Sequence, residues 1–474
     1  MCGIAGIYHF DKERVVSKTR LKKMTDIIEH RGPDDEGFFI EKNIGLGHRR
    51  LSIIDLETGD QPMFSDDKQK VLVFNGEIYN YIELRAELKK KGYQFRTNSD
   101  TEIVIKAYEA WGHDCQNKFN GMWAFVLWDK LKQELFISRD RIGEKPLHYS
   151  VFENTFVFGS EMKSLFSYGV PRNHDFSLLE IYLVLTNIPE PHTFYKNVLK
   201  LEAGHYIIIK DGRIRDYKYW DLPDIEESNM LSDKDYIYNQ FDTLFRDSVK
   251  IRMRSDVPFG AFLSGGLDSS SIVSLMSQNS QFPINTFTIG FPEEKFDESI
   301  LAQSIANKFS TKHHLGTVNP VDFEEIITKT AFHYDEPFGD SSAIPTGYVS
   351  KLAAENVKMV LTGDGGDEVL SGYNSYLGIK ISNLINKVPN SIQNTFLNLN
   401  SFIANSISGG IRYKWNKIED IIKTSNLNFS DRIAQKAAYT GFRSIKKLVE
   451  PLKNVVSIED YLNNLDEVVC NLKY

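Results

Sequence analysis

Cysteine is scarce: the 474 residues hold three, Cys2, Cys115 and Cys470. So odd and sparse a set excludes a disulfide framework and suggests a reducing compartment. No CxxC and no paired-histidine spacing occurs, which argues against a zinc site. No segment approaches the roughly 20 apolar residues of a membrane helix, so no membrane role is expected. Met1-Cys2-Gly3-Ile4 has no basic region and no long apolar run, so it does not read as a signal peptide, and the expected location is the cytoplasm. The charge imbalance is small, a net −8 from 56 basic and 64 acidic residues. Such a chain has no general attraction for nucleic acid or an anionic membrane. Internal repeats are absent, and compositional bias is confined to the mildly Asn/Ser-rich tract Asn383–Ser408. What is present is an ordinary globular composition, 41% hydrophobic and 25% charged, in a chain too long for one core.

The most informative stretch is Ser264-Gly265-Gly266-Leu267-Asp268-Ser269-Ser270. An apolar run, Val257–Leu263, precedes it, and Ser271–Met276 reads as a helix after it. Strand, Gly-rich turn and helix aim free backbone N–H groups and a positive helix end at one point. Two glycines allow close backbone approach to an anion, and three hydroxyls add donors. The carboxylate of Asp268 would repel a bare phosphate, so a shared Mg²⁺ is expected beside it. No lysine follows the glycines, which excludes the Walker pattern. The stretch resembles the pyrophosphate loop, SGGxDS, of the ATP pyrophosphatases. That resemblance implies a grip on the β,γ-phosphates of ATP while a carboxylate attacks the α-phosphate.

Cys2 stands directly behind Met1. Were Met1 removed, thiol and α-amino group would share one residue, and an amine of pKa about 7.7–8.0 could serve the thiol as base. Further motifs follow in order: His30-Arg31-Gly32-Pro33-Asp34 closing an amphipathic helix, Gly47-His48-Arg49-Arg50-Leu51, the strand Val71–Phe74 leading to Asn75-Gly76-Glu77, and Ser99-Asp100-Thr101-Glu102 capping a helix that runs to about Trp111. Asn-Gly is also the commonest hairpin turn, Asp100 could serve as a cap, and Arg49 rivals Arg50. Together the motifs resemble the class II glutamine amidotransferases, which are N-terminal-nucleophile hydrolases. The resemblance implies an α/β/β/α sandwich with Cys2 as nucleophile and Asn75 and Gly76 as oxyanion hole. It implies Arg50 as clamp for the glutamine carboxylate, and Glu77 and Asp100 at the amine. Arg139, Asp140 and Gly143 read as structural or as contacts to the second domain.

A long helix is expected from Asp233 to about Arg254. The phosphate loop follows it, then the strand Ile284–Phe291, a helix from Asp297, and a short strand introduced by His313-His314. Alternating strands and helices predict a doubly wound parallel sheet, with ligand at the strands' carboxyl ends near Leu263 and Ile289. His313 and His314 should point to opposite faces and so share no metal. A second strand feeds Thr362-Gly363-Asp364-Gly365-Gly366-Asp367-Glu368, where three acids on one turn call for a cation or a reacting amine.

The two halves in this order resemble glutamine-hydrolysing asparagine synthetase, from Cys2 to about Tyr376. The resemblance implies ATP as substrate, Mg²⁺ held by Asp268 and Asp367, Gly363 at the nucleotide, and Asp364 as acid or guide for ammonia. Aspartate would become β-aspartyl-AMP, and ammonia from glutamine would displace AMP. Asp335–Thr346 matches the family's acceptor-side segment but lacks the basic residue some relatives carry near Ser341. After Tyr376 the family's DRxSMAxSLExRxPFLD-like segment and its following lysine are absent. Lys446 and Lys447 match neither. The expected domains are 2–212 (glutaminase), 213–232 (linker) and 233–474 (synthetase, atypical after about 376). The partners are glutamine, aspartate and ATP, and a homodimer is compatible. A different carboxylate acceptor, such as a sugar acid, and an impaired regulatory relative are the alternatives.

Overall fold

The structure is a computed structural model. It describes residues 1–224, 230–295, 297–318 and 323–389, and beyond these 391–393, 395, 397, 421–422, 425, 442–452, 454–458 and 460–461. Cys470, Trp415 and most of the Asn/Ser-rich tract lie outside them.

The first elements are β1 (Gly3–His9), α1 (Lys18–Asp26), β2 (Asp35–Glu41), β3 (Ile44–Arg50), β4 (Met63–Phe64) and β5 (Lys70–Ile78). There follow α2 (Tyr81–Lys90), α3 (Asp100–Trp111), β6 (Gly121–Asp129), β7 (Glu134–Arg139), β8 (His148–Phe152), β9 (Thr155–Gly159), α4 (Met162–Tyr168) and α5 (Leu179–Leu185). The strands β10 (Leu199–Lys200), β11 (His205–Lys210) and β12 (Arg213–Lys218) close the series. They build two six-stranded antiparallel sheets, ordered β10-β8-β9-β1-β3-β2 and β12-β11-β7-β6-β5-β4.

Strand alternation decides what each sheet buries. On β1, Ile4 and Tyr8 join Val71 and Val73 of β5 in a core between the sheets. The intervening Ala5 and Ile7 pack against Leu21 and Met24 of α1 and Leu165 of α4. The intervening Leu72 and Phe74 pack against Ile103 and Ala107 of α3. Helices, sheet, sheet, helices: the expected α/β/β/α sandwich is present. Each large apolar side chain so buried contributes about 1.5–3 kcal/mol.

Next come α6 (Lys234–Arg252), β13 (Phe259–Phe262), α7 (Leu267–Asn279), β14 (Asn285–Gly290), α8 (Ser299–Lys308), β15 (Lys312–Thr317), α9 (Phe323–Tyr334), α10 (Ala343–Ala354) and β16 (Met359–Leu361). Asp233 caps α6, its carboxylate accepting from Asp235 and Tyr236 N–H. The strands form a parallel sheet ordered β15-β14-β13-β16. One face packs Val249, Val273, Met276 and Ala302 over Ala261 and Leu263. The other packs Ala353 and Val357 on Phe287. Helices on both faces make the sheet doubly wound, and a parallel sheet needs both faces covered.

The linker boundary needs correcting. Residues 213–218 are not linker but β12, paired antiparallel with β11 from His205↔Lys218 to Lys210↔Arg213. All six are exposed, so this edge strand shows no apolar alternation to read.

The chain divides into two compact units, at places other than 213–232. The larger holds Met1–His174, Pro189–Glu336 and Asp340–Thr362. The smaller holds Asp175–Ile188, Pro337–Gly339 and Gly363–Tyr474, with α5, α11 (Gly366–Leu370), α12 (Asn374–Ile385) and α13 (Phe442–Val449). Within it, the Glu180 carboxylate accepts from Ile458 N–H at 3.0 Å. Among the described residues no helix is long and apolar enough to cross a membrane.

Candidate active site

The first site forms where the interior of the sandwich turns from apolar to polar. Continuing the alternation of β1, Cys2 falls on the side of Ile4 and Tyr8, toward the second sheet. On β5, Asn75 and Glu77 share the side of Val71 and Val73, toward the first sheet. The Cys2 Sγ accepts from Leu51 N–H at 3.4 Å and faces Leu51 O at 3.7 Å. Arg31 Nε donates to Cys2 O at 3.0 Å. Burial pushes the thiol pKa up, and Glu77 and Asp100 add to that, against the Leu51 hydrogen bond and the amino terminus.

Asn75 is 1% exposed, and both amide atoms lack a hydrogen-bond partner in the protein. A buried, unpaired polar group costs about 1–3 kcal/mol, so its retention calls for a ligand. Asn75-Gly76 is not a hairpin turn: both residues lie inside β5, opposite Ala124 and Trp123 of β6. A Cβ on Gly76 would meet Met122 O at 2.2 Å, so only glycine fits there.

Glu77 and Asp100 are both buried. Burial raises the Glu77 pKa well above the carboxylate range, and Asp100 raises it further. Burial likewise lifts Asp100 to about 6, although Ile78 N–H donates to its Oδ2 at 2.9 Å. Two buried acids that repel each other make a receptor for a cation such as an α-ammonium. Ser99 is the cap of α3, accepting from Thr101 N–H at 3.2 Å. Glu102 does not close a capping box; it accepts from Arg96 and Thr97 N–H instead.

Arg49 and Arg50 point apart, as neighbours on a strand must. Arg49 pairs with Asp26 and Glu36, away from the site. Arg50 is 5% exposed and holds the following turn, donating to Asp55 O at 2.5 Å and Asp60 Oδ1 at 2.8 Å. Arg139, Asp140 and Gly143 are structural as expected. The Asp140 carboxylate gathers the N–H groups of Trp123, Ile142, Glu144 and Lys145, and Gly143 takes φ +72°.

The second site is the loop after β13. Gly265 takes φ +84°, and Gly266 opens α7. Ser264 Oγ accepts from Gly266 N–H at 3.2 Å and meets Ser269 Oγ at 3.1 Å. Ser270 Oγ is buried without a partner. Leu263 is buried, bonded through its N–H to Phe287 O at 2.9 Å. Ile289 lies on β14 next to the strand's end. Asp268 and the hydroxyls of Ser264, Ser269 and Ser270 offer only oxygen donors on this loop, the donor type that hard dications take.

The turn after β16 belongs to the smaller unit. Gly365 takes φ +89°, and Gly366 N–H donates to Gly363 O at 3.3 Å. Asp367 O accepts from Gly372 N–H at 2.9 Å, so the acids sit on a tight αL-capped turn. His313 and His314 are separately engaged, with Thr286 Oγ1 at 3.0 Å and Asn285 Oδ1 at 3.2 Å.

Residues 1–220 match the glutamine amidotransferase domain model, and residues 240–450 match the asparagine synthase model. A putative glutamine-hydrolysing asparagine synthetase 2 of Methanocaldococcus jannaschii is 44% identical over 82% of this chain and 79% of its own length. Asparagine synthetase 1 of Bacillus subtilis is 35% identical over 86% of this chain and 65% of its own.

The chain belongs to the glutamine-hydrolysing asparagine synthetase family.

The chain thus spans about two thirds to four fifths of the length of these two relatives. The synthase model extends to residue 450, well past the point near Tyr376 where the motif resemblance stops. The B. subtilis glutamine PRPP amidotransferase complexed with ADP and GMP aligns over 66% of each chain, at 16% identity and TM-score 0.36.

Membership implies a glutamine-dependent ligase with an ATP-using second half. Some residues at or near the first site were not singled out from the sequence. Lys145 is buried, close enough to Glu77 and the amino terminus to shift both. The turn that Asp140 organises delivers it, and that turn was the readable sign. Glu161 accepts from Arg31 NH1 at 2.8 Å and His30 Nε2 at 3.1 Å, and pairs with Lys163. Burial opposes ionisation of Glu161, but His30, Arg31 and Lys163 prevail and hold its pKa far below the usual range. Lys163 also pairs with Asp335 at 3.2 Å, and Glu336 pairs with Lys200 at 2.6 Å. Asp335 and Glu336, at the start of the acceptor-side segment, therefore face the first half of the chain.

Proposed function

We propose that the protein makes L-asparagine from L-aspartate, ATP and the ammonia of glutamine, through β-aspartyl-AMP, with AMP and pyrophosphate as products. The observation that carries the glutaminase step is the buried Asn75 amide, unpaired on the same strand face as Glu77. In this reading Cys2 Sγ bonds to the glutamine side-chain carbon. The oxyanion that forms is held by Asn75 and by Gly76 N–H. Collapse breaks the C–N bond as the proton taken from the thiol passes to the departing nitrogen, ammonia leaves, and water hydrolyses the thioester to glutamate. Glu77 and Asp100 take the substrate ammonium, and Arg50 its carboxylate. The α-amino group of Met1 is lowered to about 6, chiefly by burial. After removal of Met1 the free amine would stand on Cys2 itself, in reach of the thiol and able to take its proton.

In the second half, Ser264–Ser270 would cradle the pyrophosphate of ATP, with Leu263, Ile289 and Gly363 around the nucleotide. Asp268 and Asp367 would hold Mg²⁺, which when bound neutralises phosphate charge. Asp364 would guide the attacking ammonia or take its proton.

The test is pyrophosphate release with ATP, Mg²⁺, aspartate and ammonium chloride, without glutamine. Aspartate-dependent release is expected. Release with another carboxylate but not with aspartate would reassign the acceptor. No release beside intact glutaminase activity would overturn the reading of the second half.

A further inference from the structure

The segment that follows Arg50 is held from the second half of the chain. Leu51 meets the Cys2 thiol through both its N–H and its carbonyl. Asp55, with φ +54°, supplies the carbonyl that Arg50 grips. Between these two points three backbone groups find their partners outward. Asp256 N–H donates to Ile53 O at 3.0 Å. The Asp256 carboxylate accepts from Asp55 N–H at 2.7 Å. Ser52 N–H donates to Asp34 Oδ2 at 2.8 Å, and that oxygen pairs with Lys358 Nζ at 2.6 Å. Asp256 lies three residues before β13, and Lys358 directly precedes β16. These strands are parallel neighbours, so both residues sit at the amino edge of the sheet. Nearby, Arg254 donates to Tyr79 O at 2.5 Å and pairs with Glu83 at 2.6 Å, anchoring the same edge to the end of β5.

We propose that Asp256 and Lys358 are positioning residues for glutamine. They fix the 51–55 segment, and through it the Leu51 contacts to Cys2 and the setting of Arg50. The amino edge of the ATP-side sheet would thus complete the glutamine site. This rests on the glutaminase reading above. A segment left free to move would bind glutamine less well but, once occupied, would react nearly as fast.

The experiment is steady-state glutaminase kinetics on the full chain, beside ammonia-dependent pyrophosphate release. Asp256→Ala should raise the KM for glutamine about tenfold, the effect of losing a hydrogen bond to a charged group, with kcat little changed. Asp256→Asn keeps an acceptor oxygen for Asp55 N–H and should restore most of the KM. Lys358→Met breaks only a half-exposed ion pair and should raise KM roughly two- to threefold. Ammonia-dependent release should stay within twofold throughout. An unchanged KM in Asp256→Ala, or equal loss in Asp256→Ala and Asp256→Asn, would overturn the proposal. So would a KM for Lys358→Met equal to wild type. Wild type without glutaminase activity would instead overturn the underlying reading.

Discussion

In the first half the chemistry-bearing side chains are buried: Arg50, Asn75, Glu77, Asp100 and Lys145 all lie beneath the surface. In the loop after β13 the backbone is largely open, while Ser269 and the Ser270 Oγ stay buried. Leu267 is 82% exposed, Ser264 and Gly266 are open, and Asp268 is half-buried. The first site is built from side chains fixed between two sheets before any ligand arrives. The second is built from backbone at the edge of one sheet. The difference follows from what each must hold. A small zwitterion brings two opposite charges that need separate, oriented partners, and strands set between packed layers supply them. A polyphosphate brings dense charge of one sign, for which backbone N–H groups and a helix end suffice. The price of the first design is visible in Asn75 and in the raised acids.

The comparison breaks most sharply at Cys2. Cys2→Ala should abolish glutamine-supported synthesis and leave ammonia-supported synthesis near wild type, read as product formed with each nitrogen source. Equal loss with both sources would mean that the two sites are not separable. A smaller effect is expected from Asn75→Ala. Glutaminase kcat should fall about 100- to 1,000-fold, as for an oxyanion-hole donor. Thermal stability should hold or rise, because the removed amide has no partner in the folded protein. A fall in both would make Asn75 a structural residue. The smallest effect is on stability in acid. His48 is fully buried, and burial lowers its pKa to about 3; its Nε2 donates to Phe74 O, and Nδ1 has no partner. His9 is lowered to about 4, again chiefly by burial. A depressed folded-state pKa gives stability that is complete above the unfolded value near 6.5 and fades as pH falls toward 3–4. At pH 5 each residue should cost about 2 kcal/mol, seen as a lower urea midpoint than at pH 7. Glu77 and Asp100, raised by burial, gain stability over the same interval, so the check is wild type beside the His48→Gln, His9→Gln variant: an equal pH 7-to-5 shift in both would mean that these rings are not held neutral.

How much of this was legible follows the same divide. The phosphate loop is local, so the order of strand, glycines and helix could be read directly, although α7 opens at Leu267 rather than at the expected Ser271. The glutamine site could be read only as separate motifs in order. Which of Arg49 and Arg50 faces inward is decided by β3 pairing with β1, and no local pattern carries it. Lys145 and Glu161 escaped because contacts between distant segments, such as those of Glu161 with His30 and Arg31, leave no periodicity. The extent of β12 escaped because Arg213–Lys218 is exposed throughout, Ile214 and Tyr217 included, and sits at an edge.

The seam formed by Lys163, Asp335, Lys200 and Glu336 bears on how the protein could be taken apart. A gene cut between residues 220 and 240 yields two fragments that each match one family model. The second would expose Asp335 stripped of its lysine, and the first would present Lys163, Lys200 and the Phe194 amide without the acids that meet them. Co-expression should therefore rescue fragments that behave poorly alone, since each carries the counter-charges that the other lacks.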